Sequence, residues 1–124
     1  MNVVDSSGWL EYFAGSDRAN LFAPVIENPG KLIVPSICVY EVFKKVLIER
    51  DEDSALVAIA HMHQATLVDL DSRIAIFAAT LSKELKLPMA DSIILATARL
   101  NGAILWTQDE DFHSIDGVKY FPKK

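Results

Sequence analysis

Short apolar runs alternating with longer stretches of helical periodicity constrain this chain more than any other feature. Asn2-Val3-Val4-Asp5, Leu32-Ile33-Val34, Ala65-Thr66-Leu67-Val68-Asp69, Ala103-Ile104-Leu105-Trp106-Thr107 and Val118-Lys119-Tyr120-Phe121 read as strands, the last of them an edge strand. Between them lie amphipathic or Ala-rich segments long enough to be helices. Strands that alternate with helices build βαβ units, and these assemble into a mainly parallel sheet. The expected fold is a three-layer α/β/α sandwich around a central, mainly parallel five-stranded sheet, with residues 1–124 forming one domain.

Local signals place the helices. Ser6 or Ser7 is expected to cap a helix from Gly8 to about Ala14, and Ser16 or Asp17 a second one that Pro29-Gly30 breaks after Asn28. Pro35-Ser36 opens a long helix from Ile37 to about Arg50, and Asp53-Ser54 another that ends near Gln64. Asp71-Ser72 caps a helix from Arg73 to Lys86. Pro88 sets the first turn of an Ala-rich helix that stops at Asn101-Gly102. Asp109 to Phe112 reads as a short helical turn.

Composition removes several classes of protein. Of 124 residues, 51% are hydrophobic and 23% charged, so whole-chain disorder is excluded. No apolar run reaches the roughly 18 residues of a membrane span, and the start lacks the basic-then-apolar pattern of a secretory signal. The single cysteine, Cys38, falls on a mostly apolar helix with no evident base, as a buried structural thiol would. A cytoplasmic location is expected. The net charge of −5 argues against sequence-independent binding of nucleic acid, unless several acids converge and hold a cation that inverts the local sign.

The acids therefore matter most. Open α/β sheets work beyond the carboxyl ends of their strands, where the strand order reverses. Asp5 ends the first strand and Asp109 follows the fourth by two residues, so both project at that edge, although each alone fits a turn or cap residue. Asp91 opens an apolar helical stripe of Ile94, Leu95 and Ala98. It is either a first-turn acid favoured by the helix dipole or a group held in a partly closed cleft. Glu41 shares a face with Lys44 and Lys45, and an ordinary ion pair would account for it. Within two turns of Ser36, it also comes within reach of the same edge.

Several carboxylates in one cleft cannot all stay ionised without a counter-charge. A hard divalent cation relieves them, and oxygen-only ligation selects Mg²⁺ or Mn²⁺. Hydrolysis of a phosphodiester is the neutral-pH chemistry that uses such a site. No Gly-rich phosphate loop and no G-x-S-x-G element offers another route. His61 and His63 diverge on a helix and His113 stands alone, so the spacing of a zinc site is missing.

These residues resemble those of the PIN-domain ribonucleases, and more narrowly the VapC-type toxins of toxin–antitoxin pairs. The likeness runs through Val4-Asp5-Ser6-Ser7-Gly8-Trp9, Val39-Tyr40-Glu41-Val42, Ala90-Asp91-Ser92-Ile93-Ile94 and Thr107-Gln108-Asp109-Glu110-Asp111-Phe112, in order and on a matching succession of elements. The resemblance implies a Mg²⁺- or Mn²⁺-dependent endoribonuclease. Asp5 and Asp91 would be the principal metal ligands, with Asp109 completing the set and Glu41 orienting or deprotonating the attacking water. Ser6 and Thr107 would hydrogen-bond to carboxylates and hold them in place. Asp111 either joins the cluster or caps the turn before Phe112, the cap being preferred. The resemblance further implies a homodimer silenced by a VapB-like antitoxin, with structured RNA as the target.

An RNA-cutting chain of this charge must concentrate its cations near the cleft, and Lys44, Lys45, Arg73 and Arg99 are the positional candidates. Trp9, Tyr12, Phe13, Leu21 and Phe22 are either core or the lining of a dimer seam or an antitoxin groove. Two rival readings stand. One is a phospho-receiver domain with Asp69 as acceptor, weakened by Ser6 after Asp5 and by the order Phe121-Pro122-Lys123. The other is a PIN-like binding module without catalysis.

Overall fold

The structure is a computed structural model and describes residues 1–123. Its five strands are β1 (Asn2–Val4), β2 (Leu32–Pro35), β3 (Thr66–Val68), β4 (Ile104–Thr107) and β5 (Val118–Tyr120). They lie in the order β3-β2-β1-β4-β5, and every pairing is parallel. "Mainly parallel" thus becomes wholly parallel. Successive strands step outward from β1 to β2 to β3, then the chain crosses back to place β4 on the other side of β1. Right-handed crossovers put the helices of the two outward steps on one face and those of the return on the other. The three-layer sandwich follows. Strand order also excludes the receiver alternative, whose doubly wound sheet runs 2-1-3-4-5.

Six helices fill the two outer layers: α1 (Ser6–Ala14), α2 (Ala19–Ile26), α3 (Ser36–Glu49), α4 (Glu52–Met62), α5 (Ser72–Leu85) and α6 (Met89–Leu100). Their starts differ from the sequence expectation in ways that bear on the site. Neither Ser6 nor Ser7 caps α1; Asp5 does, its Oδ1 accepting the Gly8 amide at 3.0 Å. Asp51 rather than Asp53 caps α4 through the Ser54 amide, while Asp71 caps α5 as expected. Neither the Ser16 nor the Asp17 side chain caps α2: its cap position is Arg18 with no side-chain bond, and Ser16 meets the helix start through its carbonyl, which accepts the Ala19 amide at 3.0 Å. Pro24 sits inside that helix, and Pro29–Lys31 forms a 3₁₀ turn leading into β2.

The core is continuous from sheet to both layers: Val3, Val4, Ile33, Val34 and Leu105 from the strands, Trp9, Phe22, Val42, Ile94 and Leu95 from the helices. Trp9 and Phe22 are therefore core, not interface. Gly8 lets α1 descend onto β1. A Cβ there would lie 2.5 Å from Val4 Cγ1 and 2.9 Å from the Phe22 ring. That close approach sets the height of α1, and with it the position of Asp5. Cys38 is fully buried with its thiol pushed far up by desolvation, so it offers no nucleophile. No helix among the described residues is long and apolar enough to cross a membrane.

Candidate active site

β1 and β4 are neighbours, and both deliver an acid at their carboxyl ends. Asp5 follows Val4 directly and is 3% exposed, the one buried carboxylate of the set. Four bonds hold it. Gly8 N–H donates to Oδ1, the Ser7 hydroxyl lies 2.9 and 3.0 Å from the two oxygens, and Thr107 Oγ1 donates to Oδ2 at 2.6 Å. The Asp109 amide donates to Thr107 Oγ1 at 2.9 Å, which leaves the threonine proton for Asp5. One hydroxyl thereby fixes two acids relative to each other.

Asp91 arrives from the opposite layer, in the first turn of α6, whose N-terminus points at this edge. Asp91, Asp109 and Asp111 each offer a carboxylate oxygen within 4.8 Å of the others. Asp109 caps the 3₁₀ turn Glu110–Phe112 by accepting the Asp111 amide at 3.0 Å. The preferred cap role of Asp111 therefore falls to Asp109, and Asp111 turns toward Asp91. The motif's i, i+2 acids held the signal: a tight turn after β4 brings both carboxylates to one side.

Burial pushes Asp5 up to about 6; the bonds from Thr107, Gly8 and Ser7 oppose that rise, and the charge of Asp109 adds to it. Asp91 rises to about 7, through burial first, then the charge of Asp109, and then a hydrogen bond and charge from Asp111. Acids that raise one another in this way lack a neutralising partner.

Glu41 reaches the edge from α3, and Ser6 donates to its Oε1 at 2.6 Å. The ion pair expected for Glu41 goes elsewhere. Lys45 pairs with Glu49 at 2.9 Å, and Lys44 Nζ lies over the Tyr40 ring. Glu41 is not one of the three converging carboxylates. Ser7, which sequence reasoning offers only as a helix cap, touches Asp5, whereas Ser6 serves Glu41. Asp5 at the cap directs the two hydroxyls of the first turn to different acids.

Arg73 sits in the first turn of α5, at the acid edge of the sheet. Arg99 lies two turns along α6 from Asp91, roughly 12 Å at 1.5 Å per residue. Its guanidinium donates to the Asp116 carbonyl there. A groove of about 500 Å³ between α1, α3 and α4 is lined by Leu10, Phe13, Val46 and Val57, with Lys45, Arg50 and His61 also at its walls. Phe13 thus faces a groove where Trp9 faces the core.

The chain matches the family model described as the PIN domain over residues 3–118. Among solved structures, it is similar to a chain of a toxin–antitoxin complex from Klebsiella pneumoniae, with 26% identity, 96% of each chain covered and a TM-score of 0.80. It also shares its fold with a sarcin–ricin-loop-cleaving toxin, VapC20, from Mycobacterium tuberculosis, at 16% identity, 94% and 95% coverage and a TM-score of 0.76. A chain of VapBC2 from Rickettsia felis, solved bound to a promoter DNA fragment, aligns at 15% identity, 98% and 97% coverage and a TM-score of 0.75. No curated protein matches the sequence.

Proposed function

The chain belongs to the PIN-domain family, and from that membership we propose that it is a divalent-metal-dependent endoribonuclease, the toxin of a pair neutralised by a VapB-like antitoxin in the cytoplasm. The observation that carries this reading is the convergence of Asp91, Asp109 and Asp111 within 4.8 Å. Beside them stands a buried Asp5 that feels the charge of Asp109. The donor set is all oxygen and all acidic, which fits Mg²⁺ or Mn²⁺ and not zinc. Asp5, Asp91 and Asp109 would hold the ion, with Asp111 close enough to share it. Bound there, the ion lowers the pKa of water and offsets charge on the leaving oxygen.

The protein's own groups supply orientation. Asp5 is clamped by Thr107, Ser7 and Gly8, so its carboxylate cannot swing away when substrate enters. Ser6 engages Glu41 Oε1 and leaves Oε2 as an acceptor for a proton of the attacking water. Arg73, Lys44 and Lys45 offer phosphate contacts around the edge, with Arg99 more distant.

The groove between α1, α3 and α4 has the apolar floor and charged rim that an amphipathic antitoxin segment would fill. A homodimer belongs to the same proposal. Exposed Leu67, Leu70 and Ile76 are apolar surface available for it.

Incubation of single-stranded RNA with the protein and Mn²⁺ tests the reading. Cleavage that is abolished by chelator and by Asp5→Ala or Asp91→Ala supports it. Cleavage indifferent to Asp91→Ala would move the chemistry elsewhere, and no metal-dependent cleavage at all would favour a binding module on the same fold.

A further inference from the structure

Three adjoining clefts form one trough along the acid edge of the sheet. The first, of about 710 Å³, holds Asp111, His113 and Tyr120. The second, of about 490 Å³, holds Ser7, Asp109 and Lys123, and shares Tyr120 and Glu110 with the first. The third, of about 620 Å³, shares Lys123 with the second and reaches Arg18. Tyr120 is therefore the wall between a cleft containing one acid of the cluster and a cleft containing another.

Register explains its place. Tyr120 ends β5 and pairs with Thr107 of β4, the residue whose hydroxyl orients Asp5. Residues in register on adjacent parallel strands project to the same face about 4.8 Å apart. The ring is thus carried on the sheet and not on a loop. His113 lies beside it, ring centroids 5.4 Å apart and tilted by 54°. On the far side, Arg18 is fixed by Gln108 Oε1 at 2.6 Å and the Phe121 carbonyl at 3.1 Å.

A polyanion approaching this trough meets carboxylates first, and the net charge of −5 gives it little long-range attraction. Affinity that does not depend on charge must come from the bases. Every base has a π-face, and aromatic side chains beside a nuclease centre bind unpaired bases by stacking. We propose that Tyr120, backed by His113, is a stacking platform that holds a base next to the scissile phosphate. The inference rests on the nuclease reading and deepens it by assigning the residue that positions the substrate's base. Lys123 and Arg18 then line the path of the strand beyond the platform.

The test is kcat and KM on a short single-stranded RNA with Mn²⁺, comparing the full chain with Tyr120→Ala, Tyr120→Phe and His113→Ala. A 2-aminopurine placed beside the cleaved bond reports stacking through fluorescence quenching. Tyr120→Ala is expected to raise KM about tenfold, with kcat nearly unchanged and the quench lost. Tyr120→Phe keeps both KM and quench. His113→Ala raises KM about threefold, and because His113 is exposed it carries the test should Tyr120→Ala fail to fold. An unchanged KM and quench in the folded alanine variants overturns the platform while leaving the nuclease intact. So does Tyr120→Phe behaving like Tyr120→Ala, which would assign the effect to the hydroxyl. Wild-type protein that neither binds nor cleaves RNA overturns both readings.

Discussion

Asp5 and Asp91 stand at the same edge of the sheet and are held in opposite ways. Around Asp5 the protein is closed: one helix amide and two hydroxyls meet its oxygens, and Gly8 presses α1 onto β1 beneath it. Around Asp91 the protein is open, and its near neighbours are Asp109 and Asp111. Hydrogen bonds restrain the rise of Asp5, whereas acidic neighbours amplify the rise of Asp91. The closed half is built to keep one carboxylate in place. The open half is an electrostatic deficit that something from solution must relieve.

The largest effect should come from the open half. Asp91→Asn or Asp109→Asn is expected to cost about 100-fold or more in RNA cleavage, since charge and ligation go together. The same Asp91→Asn should not lower, and should slightly raise, the melting temperature without metal at pH 7.5. An equal loss of stability would mean that the open acids are structural. In the closed half the balance reverses. Gly8→Ala should destabilise the fold by about 1–3 kcal/mol in chemical denaturation, because Val4 and the Phe22 ring must move for the new Cβ. Stability equal to wild type would show that the crowding is easily relieved.

Thr107→Val tests the bond between the halves. It removes the proton donated to Asp5 and the acceptor for the Asp109 amide, with an expected loss of about tenfold in kcat/KM. Activity within twofold of wild type would show that the threonine only fills space.

A pH series sharpens the comparison further. Asp5 and Asp91 titrate near 6 and 7 in the folded chain, above the ordinary value of 3.8. Between about pH 4 and 7 the unfolded chain has lost these protons while the folded one keeps them, so stability falls as pH rises. That contribution is complete below pH 4 and gone above about 7. Thermal melts in chelator should show the decline, and Mn²⁺ should reverse it near neutrality. A melting temperature that climbs through this window would contradict the assignment.

The smallest effect concerns the cations. Lys44→Ala with Lys45→Ala should weaken RNA binding modestly and reduce its salt slope, by about 0.7 for each phosphate no longer neutralised. An identical slope would remove both from the footprint, and the exposed Lys45–Glu49 pair is worth little to stability either way.

Much of this architecture is legible in local patterns. Strand positions follow from apolar runs, and the parallel sheet from their alternation with helices. Asp5 and Asp109 fall at one edge because both follow strands. Less legible is which hydroxyl serves which acid. Ser6 and Ser7 are adjacent and chemically alike, and only the cap at Asp5 sends one to Glu41 and the other back to Asp5. Asp111 is ambiguous in sequence because a 3₁₀ turn and an open loop carry the same i, i+2 spacing. Glu41 looks like half of a helix-surface ion pair, since its tertiary bond with Ser6 spans 35 residues. Tyr120 carries no motif; its relevance comes from strand register, which exists only once β5 pairs with β4.

Calorimetric titration of the metal-free protein with Mn²⁺ at pH 7 addresses the open half most directly. Saturable binding with release of protons, which shrinks toward zero by pH 8.5 and is lost in Asp91→Asn, is the predicted result. Absence of saturable binding, or binding that Asp91→Asn leaves unchanged, would contradict a metal-dependent site at this edge.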